Sequence, residues 1–104
     1  MEPVQNSFIK VTQRPSDELT SKQKVLLNRR GNELFNAGKV LEAQRIFIAT
    51  GYSDGLTRVG DYYHAHQQRL EALRFYCMAK NKRKSEPLLT SLVDLVRTFL
   101  TDSV

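Results

Sequence analysis

Three asparagines, Asn28, Asn32 and Asn36, recur at four-residue spacing. On a helix that spacing sets them in one stripe on one face. An Asn amide both donates and accepts, so such a row can clamp a peptide backbone whatever side chains the peptide carries. Asn is a poor helix former, by roughly 0.5 kcal/mol, because its amide competes for backbone groups. Three aligned amides are therefore expected to act outward, a solvated polar face being the plain alternative. Thr57, Asp61 and Ala65 repeat the spacing further on, with Arg58 and His64 beside them.

A second chemistry is suggested by "KNKRK", where Lys80, Lys82, Arg83 and Lys84 lie in five residues. Such a run reads as a solvated loop, or as a contact for an anion or nucleic acid. Tyr52, Tyr62, Tyr63, Phe75 and Tyr76 interleave with Arg58, Arg69 and Arg74. An RNA binder could stack bases on that set, but at helical spacing the aromatics are more simply core. Catalytic and metal chemistry find no matching constellation. His64 and His66 are two apart and point to different sides of a helix, so they cannot share a metal. Cys77 has no histidine tied to it by spacing and reads as a packing residue. "GYSDG" is too short to cradle phosphate and reads as a turn. No acid, base and nucleophile converge, so the chain is expected to be non-enzymatic, without cofactor or metal.

Length and composition set the frame for these residues. One hundred and four residues suit one small domain with a thin core. Sixteen Lys and Arg against 11 Asp and Glu give a net charge of +5, which permits contact with an anionic partner without requiring it. No apolar run approaches the roughly 18 residues of a membrane span, so membrane insertion is not expected. The N-terminus lacks a basic start followed by an apolar stretch, which argues against a secretory signal. A single Cys cannot close an intrachain disulfide, and the expected location is cytoplasmic.

The spacing of apolar residues predicts an all-α chain of about five helices. Residues 1–15 form an N-terminal arm, and 16–104 a single helical domain. Thr20 with Gln23 is spaced like a capping box, and opens a helix running through Val25, Leu26, Leu27, Leu34 and Phe35 to about Ala37, where Gly38 suits a left-handed cap. A second helix passes Val40, Leu41, Ala43, Ile46 and Phe47. A third is capped by Ser53 or Asp54, and a fourth spans about 69–80. Ser85 and Pro87 mark the start of a fifth, about 86–101.

Within this chain "RRGNELFNAGKVLEAQRIF", residues 29–47, returns in outline as "RVGDYYHAHQQRLEALRFY", residues 58–76. Gly31 to Ala43 and Gly60 to Ala72 are both 12 residues, and each Ala precedes an aromatic, Phe47 or Tyr76, by four. A Gly where two helices approach, with a bulky ring beside it, suits two antiparallel helices packed face to face.

That pattern resembles the tetratricopeptide repeat, Trp-x-x-Leu-Gly-x-x-Tyr followed by Ala-x-x-x-Phe. Leu27, Gly31, Leu34, Gly38, Ala43 and Phe47 match in the first copy. Leu56, Val59, Gly60, Tyr63, Ala72, Tyr76 and Ala79 match in the second. Arg30 departs from the expected Leu, Gln67 from the turn Gly, and the copies are 29 residues apart rather than about 34. The resemblance implies an α-α superhelix of tandem helix hairpins, with repeats over about 24–51 and 53–81 and a capping helix over about 86–101.

It also implies a concave groove that binds a peptide or a helix of a partner protein, as in a small adaptor, scaffold or chaperone-like component. The residues expected there are Asn28, Asn32, Asn36, Arg58, Asp61 and His64. The family's carboxylate clamp is only partly matched, since Arg58 stands where its second Asn would be. The alternative is a basic protein bound to nucleic acid or ribosome through the Lys80–Lys84 loop. Apolar residues cover more than half the circumference of the fifth helix, so residues 88–100 are also a candidate surface for a homo-oligomer.

Overall fold

The computed structural model describes residues 18–103. It contains α1 (Ser21–Asn36), α2 (Val40–Thr50), α3 (Ser53–Ala65), α4 (Arg69–Met78) and α5 (Lys82–Ser103). No strand occurs among the described residues, and the fold class is all-α. The arm expected over 1–15 lies outside the described residues. No helix among the described residues is long and apolar enough to cross a membrane.

Local signals explain most helix ends. Thr20 Oγ1 accepts the Gln23 amide at 3.1 Å while Gln23 Oε1 accepts the Thr20 amide at 2.9 Å, the reciprocal capping box the spacing predicts. α1 stops where Gly38 turns left-handed, φ +85, and the Lys39 amide reaches back to the Leu34 carbonyl at 2.9 Å. The same exit recurs after α3 without glycine. There Gln67 takes φ +64, and the Gln68 amide returns to the Tyr63 carbonyl at 2.9 Å. Gly51 and Lys80 form a second such pair, at φ +71 and +58. Gly38 and Gln67, like Gly51 and Lys80, are 29 residues apart. The repeat is therefore a repeat of backbone conformation, kept even where the residue type disfavours it.

Consecutive helices pair as antiparallel hairpins. Asn28 meets Thr50 and Gly31 meets Phe47, both pairs symmetric about Lys39. In the second hairpin Gly60 meets Tyr76, symmetric about Gln68. A Cβ on Gly31 would lie 2.6 Å from Phe47 Cε1, and one on Gly60 would lie 2.6 Å from Tyr76 Cε1. Each glycine thus leaves the space its ring occupies. Phe47 also lies against Gly55 of α3, so one buried ring joins the two hairpins. Ala43, Phe47, Leu56, Val59, Phe75 and Ala79 form the main core. Ala72, Tyr76 and Leu88 carry it on to α5. Burying each Phe removes about 2–3 kcal/mol worth of apolar surface from water.

Two expected starts need correction. α3 is preceded by Tyr52 with no side-chain cap. Ser53, expected as that cap, instead donates its hydroxyl to the Ala79 carbonyl at 2.9 Å, tying the start of α3 to the end of α4. α5 begins at Lys82 rather than near Glu86, because Asn81 Oδ1 accepts the Lys84 amide at 3.2 Å and caps the helix early. Lys82, Arg83 and Lys84 are its first turn, not a loop. Pro87 falls in the second turn, where it has no N–H to offer.

Candidate functional site

α1 and α3 lie side by side, and Arg58 joins them. Its Nη1 donates to Asn32 Oδ1 at 2.9 Å and its Nη2 to Asn36 Oδ1 at 2.7 Å. The guanidinium also lies over the Phe35 ring, 4.5 Å from its centroid. Phe35 in turn meets Tyr62 edge to face at 6.5 Å. Helical spacing makes this possible, since two Asn one turn apart on α1 present their carbonyls to one forked guanidinium on α3.

Asn28 does not join this cluster. It accepts the Thr50 hydroxyl at 2.5 Å and links α1 to α2. The expectation that all three amides act outward is thus corrected. Each gives its carbonyl oxygen to a neighbouring helix, which is how the fold accommodates three poor helix formers. What remains is polarised in one sense. The NH2 groups of Asn32 and Asn36 make no hydrogen bond among the described residues, and Arg58 uses two of its N–H groups on these amides. The patch therefore offers donors and suits acceptors such as peptide carbonyls or carboxylates.

Asp61 is engaged elsewhere. The Tyr76 hydroxyl donates to its Oδ1 at 2.6 Å, and Lys84 Nζ reaches both carboxylate oxygens at 2.9 and 3.0 Å. Partial burial pushes the Asp61 carboxyl up, but the hydrogen bonds from Lys84 and Tyr76 outweigh it and hold the group below its ordinary value of 3.8. Burial, and then the Asp61 bond, push the Tyr76 phenol above its usual range. His64 is exposed at the end of the same face. His66 packs on the Tyr62 ring at 4.2 Å, with Nδ1 2.7 Å from the Tyr62 carbonyl.

The basic quartet is divided by these contacts. Lys84 is drawn to Asp61 and lies 5.9 Å from the Tyr76 ring centroid. Lys80 occupies the left-handed exit of α4, while Lys82 and Arg83 stand exposed on the first turn of α5. The tyrosines and phenylalanines weighed as stacking platforms are mostly used internally, as with Tyr63 stacked on Phe75 at 5.6 Å. Cys77 is exposed on the edge of an open cavity of about 560 Å³ between the ends of α2 and α4. No group of three potential metal ligands occurs among the described residues.

Thr50, Phe35 and Lys84 are the partners that reading the sequence missed. Thr50 was within reach of it, since positions 28 and 50 are equidistant from the turn at Lys39. Phe35 and Lys84 depend on how successive helices stack, which no spacing within one helix reveals.

The chain is 48% identical over 93 residues to a protein of Treponema pallidum (strain Nichols) described as "Uncharacterized protein", covering 89% of each chain. It belongs to the same family as that protein. No family model matches the chain, and no solved structure does.

Proposed function

We propose that this protein is a non-enzymatic protein-interaction module of degenerate tetratricopeptide type. It serves as a small adaptor, scaffold or chaperone-like part of a larger cytoplasmic assembly. The two hairpins stack so that α1 and α3 line the concave side of a short superhelix, and an extended peptide or a helix of the partner lies across them. The observation carrying this reading is the Arg58 bridge to Asn32 and Asn36. It turns three uncharged or cationic side chains from two helices into one ordered array of donors. A peptide's carbonyls or carboxylates complement that array, with Asp61 and His64 at its margin.

A second reading draws on Lys80, Lys82 and Arg83, which stand exposed together at the α4–α5 junction and could meet phosphates. Salt separates the two. Phosphate contacts make affinity fall steeply, with a log–log slope of about 0.7–0.9 per contact. The deciding experiment is affinity capture from a nuclease-treated lysate with wild type, Arg58→Ala and Lys82→Ala/Arg83→Ala. Protein partners that persist through nuclease and disappear with Arg58→Ala support the groove. Partners lost to nuclease, or lost only with the basic pair, overturn it in favour of nucleic acid.

A further inference from the structure

We infer that α5 is a dimerisation helix, and that two copies of this chain pair through it in antiparallel orientation. α5 has 22 residues, yet the helix it packs against, α4, has 10. Leu88 is the last of its large apolar residues to be buried. Beyond it Leu89 is 51% exposed, Val93 42%, Val96 56% and Leu100 58%. These four recur at spacings of four, three and four, the seam of a two-helix coiled coil. Val93, Val96 and Leu100 also border a shallow groove of about 270 Å³ lined by residues of α5 alone.

The repeat says what kind of cover fits. α5 starts 29 residues after α3, which makes it the first helix of a third unit, with Leu89 at the position of Gly31 and Gly60. In the first two units a Phe or Tyr ring enters the space that Gly leaves. Leu89 fills that space, so a ring-bearing second helix cannot close on α5 in the same way. Leu and Val knobs alternating along one seam suit a helix of the same kind.

Charge selects the orientation. α5 opens with Lys82, Arg83 and Lys84 and closes near Asp102; its first turn holds no acid and its last turn no base. Both ends oppose the helix dipole. In an antiparallel pair with Leu89 opposite Leu100 of the other copy, Val93 faces Val96, and Asp102 lies about one turn from Arg83 of the other copy. Two-fold symmetry makes each contact twice. A parallel pair would set Arg83 beside Arg83 and leave both ends uncompensated.

Sedimentation equilibrium of the full chain tests the inference. Wild type is expected at twice the 12.0 kDa chain mass at micromolar concentration. Val93→Glu/Leu100→Glu is expected at the chain mass with an unchanged far-ultraviolet helix signal, since neither side chain is buried in the monomer. For orientation, Leu89→Cys and Leu100→Cys are made separately in a Cys77→Ser background and oxidised alone or mixed. Cross-linking only in the mixture supports the antiparallel pair, whereas cross-linking of either variant with itself overturns it. A monomeric wild type, or a dimer that survives Val93→Glu/Leu100→Glu, overturns the proposal altogether.

Discussion

The Tyr76 hydroxyl on α4 and the Asp61 carboxylate on α3 meet at 2.6 Å, and Lys84 from α5 closes on the same carboxylate at 2.9 Å. Three consecutive helices therefore converge on one charge. Tyr76 also fills the space left by Gly60, so a ring that is buried for packing becomes the donor that holds Asp61.

Stability is expected to fall at both ends of the pH range for this reason. Folding lowers the Asp61 pKa, so its contribution is present above the ordinary value of 3.8 and is lost as pH falls through the lower folded value. Asp61 is largely exposed, and the effect should stay below about 1 kcal/mol. Urea titrations should show Asp61→Asn costing more at pH 7 than near pH 2.5. An equal cost at both would disprove the linkage.

The tyrosine works in the opposite direction. Folding raises the Tyr76 pKa through burial and the Asp61 bond, so stability is intact below the ordinary value of 10.0 and declines as pH rises past it. Tyr63, raised mainly by burial, has the same sign, so Tyr76→Phe should reduce the alkaline decline without abolishing it. At neutral pH the lost bond should cost about 0.5–1.5 kcal/mol, read from the same unfolding curves.

Gly31→Ala and Gly60→Ala should both destabilise, although alanine favours helix by about 1 kcal/mol. The added methyl meets Phe47 or Tyr76 at 2.6 Å, and both rings are buried. Overpacking of about 1–3 kcal/mol is expected. Combining Gly31→Ala with Phe47→Leu should recover part of the loss relative to the sum of the singles, measured by thermal denaturation. Simple additivity would show that the two residues do not share the space.

Gln67→Gly should stabilise, unusually for glycine. Gln67 sits at φ +64, where a Cβ costs roughly 1–2 kcal/mol. Part of the gain is cancelled by the extra freedom of glycine in the unfolded chain. A net rise of up to about 1 kcal/mol is expected, with Gly38→Gln falling by a similar amount. A drop in melting temperature for Gln67→Gly would mean that its side chain makes a contribution the backbone does not explain.

Arg58→Lys should keep the charge but lose the fork to Asn32 and Asn36, because an ammonium is a point donor. Partner capture is expected to fall nearly as far as with Arg58→Ala, while stability changes by about 1 kcal/mol or less. Full retention of capture would show that charge alone suffices and that the ordered amides are not used.

Helix identity, the Thr20–Gln23 box, the pairing of Gly31 with Phe47 and the 29-residue repeat were all readable from the chain, since periodicity and small-to-large complementarity are properties of residue order. The start of α5 was not. Ser85 and Pro87 looked like an initiation site, but Asn81 had already capped the helix four residues earlier. The row of Asn28, Asn32 and Asn36 was visible as a stripe. Its use was not, because a side-chain amide chooses among neighbours that only stacked helices provide. The tertiary structure gave one amide to Thr50 and two to Arg58, and it paired Asp61 with Lys84. Local order in sequence determines which backbone forms and which faces are apolar. The distances between Arg58 and α1, or Asp61 and α5, exist only once separate helices are packed, and those distances decide which polar groups remain open to a partner.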